Sequence, residues 1–517
     1  MTQGSAIING GRIELSFDYD MTIIDKVRNI DGRKWNEPKH PGVWTVPVTA
    51  WHADMVMRML PDFFIDPTIS FMAEGEKEKP KLKLPKELYK FQKEGVQYIA
   101  STAGRCIVAD DMGLGKSVEA LMFVRFYTGG KTLIVSPSNV TFKWRDEECR
   151  KWVPDKTVEV VRSSKDELPD VDILIMSYAM MVAHYNELRN IPFTTAIIDE
   201  AHYIKGQKTQ RTRIAKALLK DFKHVLLLSG TPFMNRPTEL FQLLNVVDPI
   251  GFNNFYSYAI KYCGAERIGG YWVFPKDKVT NREELEERLK RYMIRRTKQE
   301  VELELPDLSR VYIPVELSST GEYNKALAEF KDWRKQAKSM ASALVKLTKL
   351  RQIVGMEKVE PTVELATSIV EAGRKVVIFA HHKEVVMSLA KALIKVGGIG
   401  IISGDTKPEE RQALAQKFLL DNSKICIMII TVAGAEGINL FSASDIIFCE
   451  REWTPAKEEQ AEARLHRIGQ KSSVTSYYIV VKDSVDEYMD KIVRTKRDVI
   501  GQVIAQDEIV EQLLKEI

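Results

Sequence analysis

Three short stretches of this 517-residue chain carry residue types suited to work on phosphate. The first, "VADDMGLGKSVEAL", begins at Val108 and contains Gly113, Gly115, Lys116 and Ser117. A glycine turn between a strand and a helix lets backbone N–H groups approach phosphate oxygens, and the helix N-terminus adds positive charge. Lys116 would reach the β/γ-phosphates and the Ser117 hydroxyl would sit on magnesium. The standard pattern has a glycine five residues before Gly115, and this chain has Asp110 there. The second stretch, "AIIDEAHYIK", puts Asp199 and Glu200 directly after an apolar run. One carboxylate there could hold the magnesium shell and the other could orient water. The third, "EEQAEARLHRIGQ", contains Gln460, Arg464 and Arg467, which on one continuous helix would share a face at i, i+4 and i+7. Each stretch also has a plain reading: a solvated lysine at a turn, acids ending a strand, an exposed basic helix.

The elements around these stretches narrow the choice. From about 105 to 232, short apolar runs ("RCIVAD", "KTLIVSP", "DILIMSY", "TAIIDE", "HVLLLSGT") alternate with helix-like segments. Continuous hydrophobicity of this kind means strands buried on both faces, hence a parallel sheet covered by helices. The rhythm returns from about 375 with "KVVIFA", "GIGIISG", "KICIMIIT", "DIIFCE" and "SYYIVV". Two doubly wound α/β halves are therefore expected, with ligands at the C-terminal ends of the strands and a cleft between the halves. Residues 233–360 read as mostly helical and charged, as in "NREELEERLKRYMIRRTKQE". The segment 74–85, "EGEKEKPKLKLP", reads as a linker after a small separate unit at 1–73. The expected divisions are thus 1–73, 74–85, 86–232, 233–360 and 361–517.

Bulk properties exclude other classes. A chain of this length needs more than one core. Its 44% hydrophobic and 28% charged content is that of a globular protein rather than a disordered one. No apolar run is long enough to span a membrane, and the start "MTQGSAIINGGRIE" lacks the features of a signal peptide. Cys106, Cys149, Cys263, Cys426 and Cys449 form no CxxC pair, so a reducing, cytoplasmic setting without zinc is expected. Cys106, Cys426 and Cys449 lie in apolar runs and should be buried. The net charge of +4 neither requires nor excludes nucleic acid.

Taken in order along the chain, these motifs resemble the superfamily 2 helicases over roughly residues 85–500, specifically the SWI/SNF branch of double-stranded DNA translocases. "DDMGLGKS" is similar to that branch's phosphate loop, in which the first glycine is replaced. The resemblance implies two tandem RecA-like domains with helical insertions, "MIRRTKQEV" and "LRQI" among them, binding ATP and magnesium. It implies that Gln92 reads the adenine and that Ser229 and Thr231 link nucleotide state to domain closure. Ser136, Pro137, Trp144, Ser177 and Tyr178 would follow a DNA strand from the first half, and Ser403, Arg411 and Thr431 from the second. Gly434, Gly437 and Gln460 would face the nucleotide side, while Arg464 and Arg467 would reach the γ-phosphate; Gln470 closes the match.

A fainter resemblance covers residues 12–60, which look like the HARP domain of annealing helicases: an extended start, a helix with a basic end, a "W…GVWTVP" segment and a second helix. The small α+β unit at 1–73 carries seven Lys/Arg against nine Asp/Glu, but its 26–39 stretch carries five against two. Arg33, Lys34, Trp35 and Trp44 thus suit unstacked bases at a DNA junction, unless the tryptophans are simply core.

The reading that follows is an ATP-dependent double-stranded DNA translocase that remodels branched DNA by annealing, branch migration or fork regression. Its partner would be DNA, gripped without regard to sequence, and not membrane. The alternatives are a translocase of the same engine that displaces DNA-bound proteins, a strand-separating helicase, and a DNA-binding scaffold with a dead ATPase. The last is opposed by intact Lys116, Asp199, Glu200, Arg464 and Arg467. No nuclease-like cluster is evident, so no cutting is expected. The compact length points to a bacterial or viral source, with a nuclear location if the source is eukaryotic.

Overall fold

The computed structural model describes residues 3–28, 30, 33–36, 43–74, 84–207, 209–230, 237–275, 278–301, 305–318, 320–336, 340–431, 434 and 437–498. The chain forms two compact units. The first comprises Met1–Asp110, Gly115–Pro137 and Glu148–Arg296; the second comprises Asp111–Leu114, Ser138–Glu147 and Thr297–Ile517.

In the first unit the expected apolar runs become a seven-stranded, wholly parallel sheet. Across the sheet the strands run Met293–Ile294, Arg105–Val108, His224–Leu228, Phe193–Ile198, Lys131–Ser136, Ile173–Ser177 and Val158–Val160. The central strands are buried on both faces, His224–Leu228 along its whole length, and that is why their sequences show no alternation. Leu133, Val135, Ala196, Ile198, Val225 and Leu227 join one continuous core with the helices Gln210–Leu219 and Pro237–Val247.

The N-terminal residues form a five-stranded mixed sheet in the same unit, ordered Lys34–Asn36, Val43–Pro47, Arg12–Phe17, Gly4–Asn9 and Phe63–Ile65. The helices Met21–Arg28 and Ala50–Met59 supply Ile23, Val27, Ala53 and Val56 to its separate core. Arg291 of the first unit pairs with Asp54 at 2.9 Å, so the small sheet is tied to the larger one rather than standing wholly apart.

The second unit holds a six-stranded parallel sheet in the order Leu308–Val315, Val474–Val481, Asp445–Phe448, Val376–Phe379, Ile425–Ile430 and Gly398–Ile402. Residues 233–360 are therefore not only helical insertions. Met293–Ile294 adds an edge strand to the first sheet, Leu308–Val315 adds one to the second, and Glu266–Ile268 with Tyr271–Val273 form a hairpin. The charged run after 281 is helical only over Arg282–Leu289. It then turns into the sheet because the Tyr292 and Ile294 carbonyls accept from Ile107 and Ala109 N–H at 2.7 and 2.8 Å. Cys106 and Cys449 are buried as expected, Cys149 and Cys263 are buried too, and Cys426 is only half-buried.

Candidate active site

The phosphate-binding turn leaves the sheet after Arg105–Val108 and enters the helix Lys116–Tyr127. Gly113 and Gly115 both lie at φ 89°, in the left-handed region where a side chain is strained. A Cβ on Gly115 would also collide with Gln92 Nε2, so this buried glutamine lies directly against the turn. Its Oε1 accepts from Tyr89 N–H at 3.1 Å, closing the first turn of the helix Lys90–Ser101. Lys116 and Ser117 are half-buried at the helix start, and Lys116 Nζ donates to the Asp110 carbonyl at 2.7 Å.

Asp110, the residue in the glycine's place, has a partner that the sequence pattern does not reveal. Its carboxylate is fully buried and accepts from Arg296 through the backbone N–H at 2.9 Å and the side-chain Nε at 3.1 and 3.2 Å. Arg296 Nη2 bridges to the fully buried Glu119 at 2.8 Å. Burial and the neighbouring Asp110 charge push the Glu119 carboxyl well above the usual carboxylate range, against the pull of Arg296. A glycine could offer Arg296 no carboxylate.

The acidic pair ends the strand Phe193–Ile198, which the strand His224–Leu228 separates from Arg105–Val108 in the same parallel sheet. Both motifs therefore leave the sheet on the edge formed by the strands' C-terminal ends. Asp199 N–H donates to the Val135 carbonyl at 2.8 Å, and Asp199 Oδ1 accepts from Glu200 N–H at 3.0 Å. Glu200 takes the left-handed conformation, φ 51° and ψ 54°, and its Oε2 lies 3.2 Å from His202 Nδ1. Ser229 is fully buried at the end of the strand between the two motifs, with its N–H on the Val108 carbonyl at 3.0 Å. Thr231 lies outside the described residues.

Among the residues expected to follow DNA from the first half, the structure separates surface from support. Ser136 is fully buried, Pro137 is buried, and Trp144 is 1% exposed at the head of a π-helical turn, Trp144–Cys149. Trp144 is thus a packing residue, not a surface for DNA. Ser177 is half-buried and caps the helix Tyr178–Ala183 by accepting from Met180 N–H. Tyr178 points inward: its hydroxyl donates to the Asp199 and Glu200 carbonyls at 2.6 and 3.2 Å. Burial and those two carboxylates push it well above the usual phenol range.

In the second unit Ser403 and Thr431 end neighbouring strands and are half-buried. Arg411, expected on phosphate, is buried and donates to the carbonyls of Ser403, Gly404 and Thr406 at 2.9 to 3.1 Å, so it shapes that loop. Gly434 and Gly437 are buried, and Gly437 lies at φ 78°. The single arginine face does not form. The helix Pro455–Glu462 carries Gln460 and then stops, leaving Arg464 and Arg467 in the turns beyond. It stops where Glu462, 2% exposed, is held by Arg310 at 2.6 Å and by Tyr478 Oη at 2.9 Å. Gln470 Nε2 then pins the turn through the Ala443 and Phe441 carbonyls at 2.8 and 3.1 Å. Arg467 Nη1 donates to Asn439 Oδ1, and Asn439 Nδ2 donates to Glu147 at 2.9 Å. Motif spacing alone does not single out Asn439, although it follows Gly437 in the same glycine string.

Glu450 is another residue that sequence reasoning misses. It accepts from the backbone N–H groups of His381 and His382 at 2.6 and 2.9 Å and pairs with the His382 ring at 2.5 Å. These bonds outweigh its burial and draw its carboxyl down to about 2. The "CE" that ends "DIIFCE" is the only signal.

In the N-terminal sheet Trp35 and Trp44 sit opposite each other in register, rings tilted by 56° with centroids 5.0 Å apart. Trp44 packs on the core, whereas Trp35 is 46% exposed beside exposed Arg33 and Lys34.

The chain is similar to known proteins along most of its length. The SNF2-related domain model matches residues 91–359, and the helicase conserved C-terminal domain model matches 357–469. A Caenorhabditis elegans protein named "SWI/SNF-related matrix-associated actin-dependent regulator of chromatin subfamily A-like protein 1 homolog" is 34% identical, covering 96% of this chain and 75% of its own. The Xenopus tropicalis protein of that subfamily is 35% identical, covering 81% of this chain and 45% of its own. The human "DNA annealing helicase and endonuclease ZRANB3" is 30% identical, covering 82% of this chain and 41% of its own. This chain thus spans three quarters of the worm protein's length and less than half of the other two. These relatives are animal proteins and lend no support to a bacterial or viral source. Among solved structures, the "Sulfolobus solfataricus SWI2/SNF2 ATPase core in complex with dsDNA" covers 85% of this chain at 24% identity, with a TM-score of 0.40 too low to bear on the argument. Among the described residues no helix is long and apolar enough to cross a membrane.

Proposed function

Because this chain belongs to the SNF2-related family of helicase-type ATPases, we propose that it hydrolyses ATP to move along double-stranded DNA and remodels branched DNA by annealing strands or migrating junctions. The observation that supports this most is the shared edge of one parallel sheet. It presents the Gly113–Ser117 turn and the Asp199–Glu200 pair with a single strand between them. Lys116 neutralises the β/γ-phosphates, Gln92 selects the base beside the turn, and Glu200 orients the attacking water. Ser117 and Asp199 offer oxygen donors only, a set that suits magnesium. That ion, when bound, neutralises phosphate charge during transfer. Arg464 and Arg467 add positive charge as the transition state develops, and Asn439 holds Arg467.

Ser177, Ser403 and Thr431 are small polar groups suited to the phosphate backbone, with Arg411 holding the Ser403 loop in shape. Backbone contacts carry no sequence information, so binding is sequence-independent and salt-sensitive. The residues 1–73 direct this engine to junctions through Arg33, Lys34 and Trp35. Of the two activities that the name of ZRANB3 joins, annealing is the one that an ATP-driven DNA motor serves.

The test compares ATP turnover and strand annealing with single-stranded, duplex, forked and four-way DNA. Turnover should rise with duplex and branched DNA, and ATP should drive four-way junctions to products. Turnover indifferent to all four would remove the proposal.

A further inference from the structure

We infer that Tyr178 is a positioning residue for ATP hydrolysis, its hydroxyl setting the Asp199–Glu200 peptide so that the Glu200 carboxylate meets its water. The inference rests on the proposed role of Glu200 and adds to it a residue of the segment expected on DNA.

Three observations carry it. The hydroxyl of Tyr178 donates to two successive carbonyls, those of Asp199 and Glu200, at 2.6 and 3.2 Å, and the ring is 6% exposed. A buried phenol needs an acceptor, but these acceptors are the backbone of the acidic pair itself. Glu200, moreover, is in the left-handed region at φ 51° without being glycine. Such a conformation persists only where the surroundings over-determine it. The determinants include Asp199 N–H on Val135, Glu200 N–H on the Asp199 carboxylate, Tyr203 N–H on the Glu200 carbonyl, and the Tyr178 hydroxyl. Of these, only the last comes from a side chain outside the turn.

The third observation is where that side chain starts. Tyr178 directly follows Ser177, which ends its strand in register with Ser136. Its ring stacks on Tyr203 at 5.3 Å and 13°, with the Arg211 guanidinium 5.4 Å from the far ring. A ring so held transmits a shift of Ser177 to the Glu200 peptide instead of absorbing it. DNA on Ser177 and the carboxylate at Glu200 are therefore joined by one rigid side chain.

The experiment is Tyr178→Phe in the full chain, which keeps the ring stack and removes only the hydroxyl. We measure KM for ATP, duplex Kd, kcat at saturating duplex, and amide exchange across residues 199–204. KM and Kd should stay near wild type while kcat falls about 10- to 100-fold, the scale of a misplaced reacting group. Exchange at the Tyr203 amide should quicken. An unchanged kcat would overturn the inference, and so would a weaker duplex Kd with kcat intact, which would make Tyr178 a DNA contact. If the unaltered chain shows no duplex-stimulated turnover, the proposed function is what fails. Exchange then decides alone: unchanged protection over 199–204 overturns the inference and faster exchange supports it.

Discussion

Arg296 donates to the Asp110 carboxylate both from its backbone N–H, at 2.9 Å, and from its guanidinium. The edge strand Met293–Ile294 thus ends by locking onto the residue that opens the phosphate-binding turn. Removing the guanidinium leaves the buried Asp110 carboxylate with only a backbone N–H from this segment and takes the partner from buried Glu119. Arg296→Met should therefore cost about 3–5 kcal/mol, the range for breaking a buried ion pair. Denaturant melts of the variant and wild type measure it, and a cost below about 1 kcal/mol would mean that the triad holds nothing.

Glu119 in that triad gives a pH signature. Its carboxyl is raised by burial and by Asp110, so the folded chain keeps a proton that the unfolded chain releases. Stability therefore falls as pH rises from the ordinary value of 4.5 through the folded value. Glu119→Gln keeps a neutral group at every pH. It should gain on wild type in unfolding free energy as pH rises above 4.5, whereas parallel profiles would contradict the shift.

Lys116→Ala should abolish turnover, since it removes the charge facing the β/γ-phosphates. Glu200→Gln should stop turnover while ATP still binds, because Lys116, Ser117 and Asp199 remain. Nucleotide titration alongside steady-state kinetics separates the two, and near-normal hydrolysis in either would refute the site.

Arg467→Ala should leave ATP affinity near wild type and lower turnover steeply, roughly 10³-fold or more if it acts as an arginine finger. Asn439→Ala should show a milder form of the same split, since Asn439 only holds Arg467. Arg464→Ala should resemble Arg467→Ala with some loss of ATP binding. Wild-type rates in all three variants would exclude a role for this turn in hydrolysis.

The two N-terminal tryptophans should part company. Trp35→Ala should weaken fork binding by about 1–3 kcal/mol with an unchanged melting temperature, as expected of an exposed stacking ring. Trp44→Ala should lower the melting temperature instead, because that ring packs on the core. Replacing Arg33 and Lys34 with alanine should flatten the salt dependence of fork binding by about 0.7–0.9 in slope for each phosphate that is no longer neutralised. Deleting residues 1–73 should reduce junction remodelling far more than duplex-stimulated ATPase. An unchanged ratio would make that unit structural only.

Much of this protein is legible from local pattern. Uninterrupted apolar runs such as "HVLLLSG" become central parallel strands because burial on both faces leaves no polar side to encode. The turn at Gly113 and Gly115, and the acids after "AII", can be read because their chemistry needs neighbours in sequence. Tertiary structure decides whatever depends on partners distant in sequence. Asp110 looks like a gap in a motif until Arg296, 186 residues away, fills it. Tyr178 and Trp144 read as surface because motif strings do not say which way a ring turns, and the fold turns both inward. The run holding Gln460, Arg464 and Arg467 has helical spacing, yet the helix ends before either arginine, at a Glu462 that is buried and held by Arg310 and Tyr478. Spacing along the chain conveys what a segment prefers by itself, whereas the cost of an unpaired buried charge or hydroxyl is fixed only once the whole chain has folded around it.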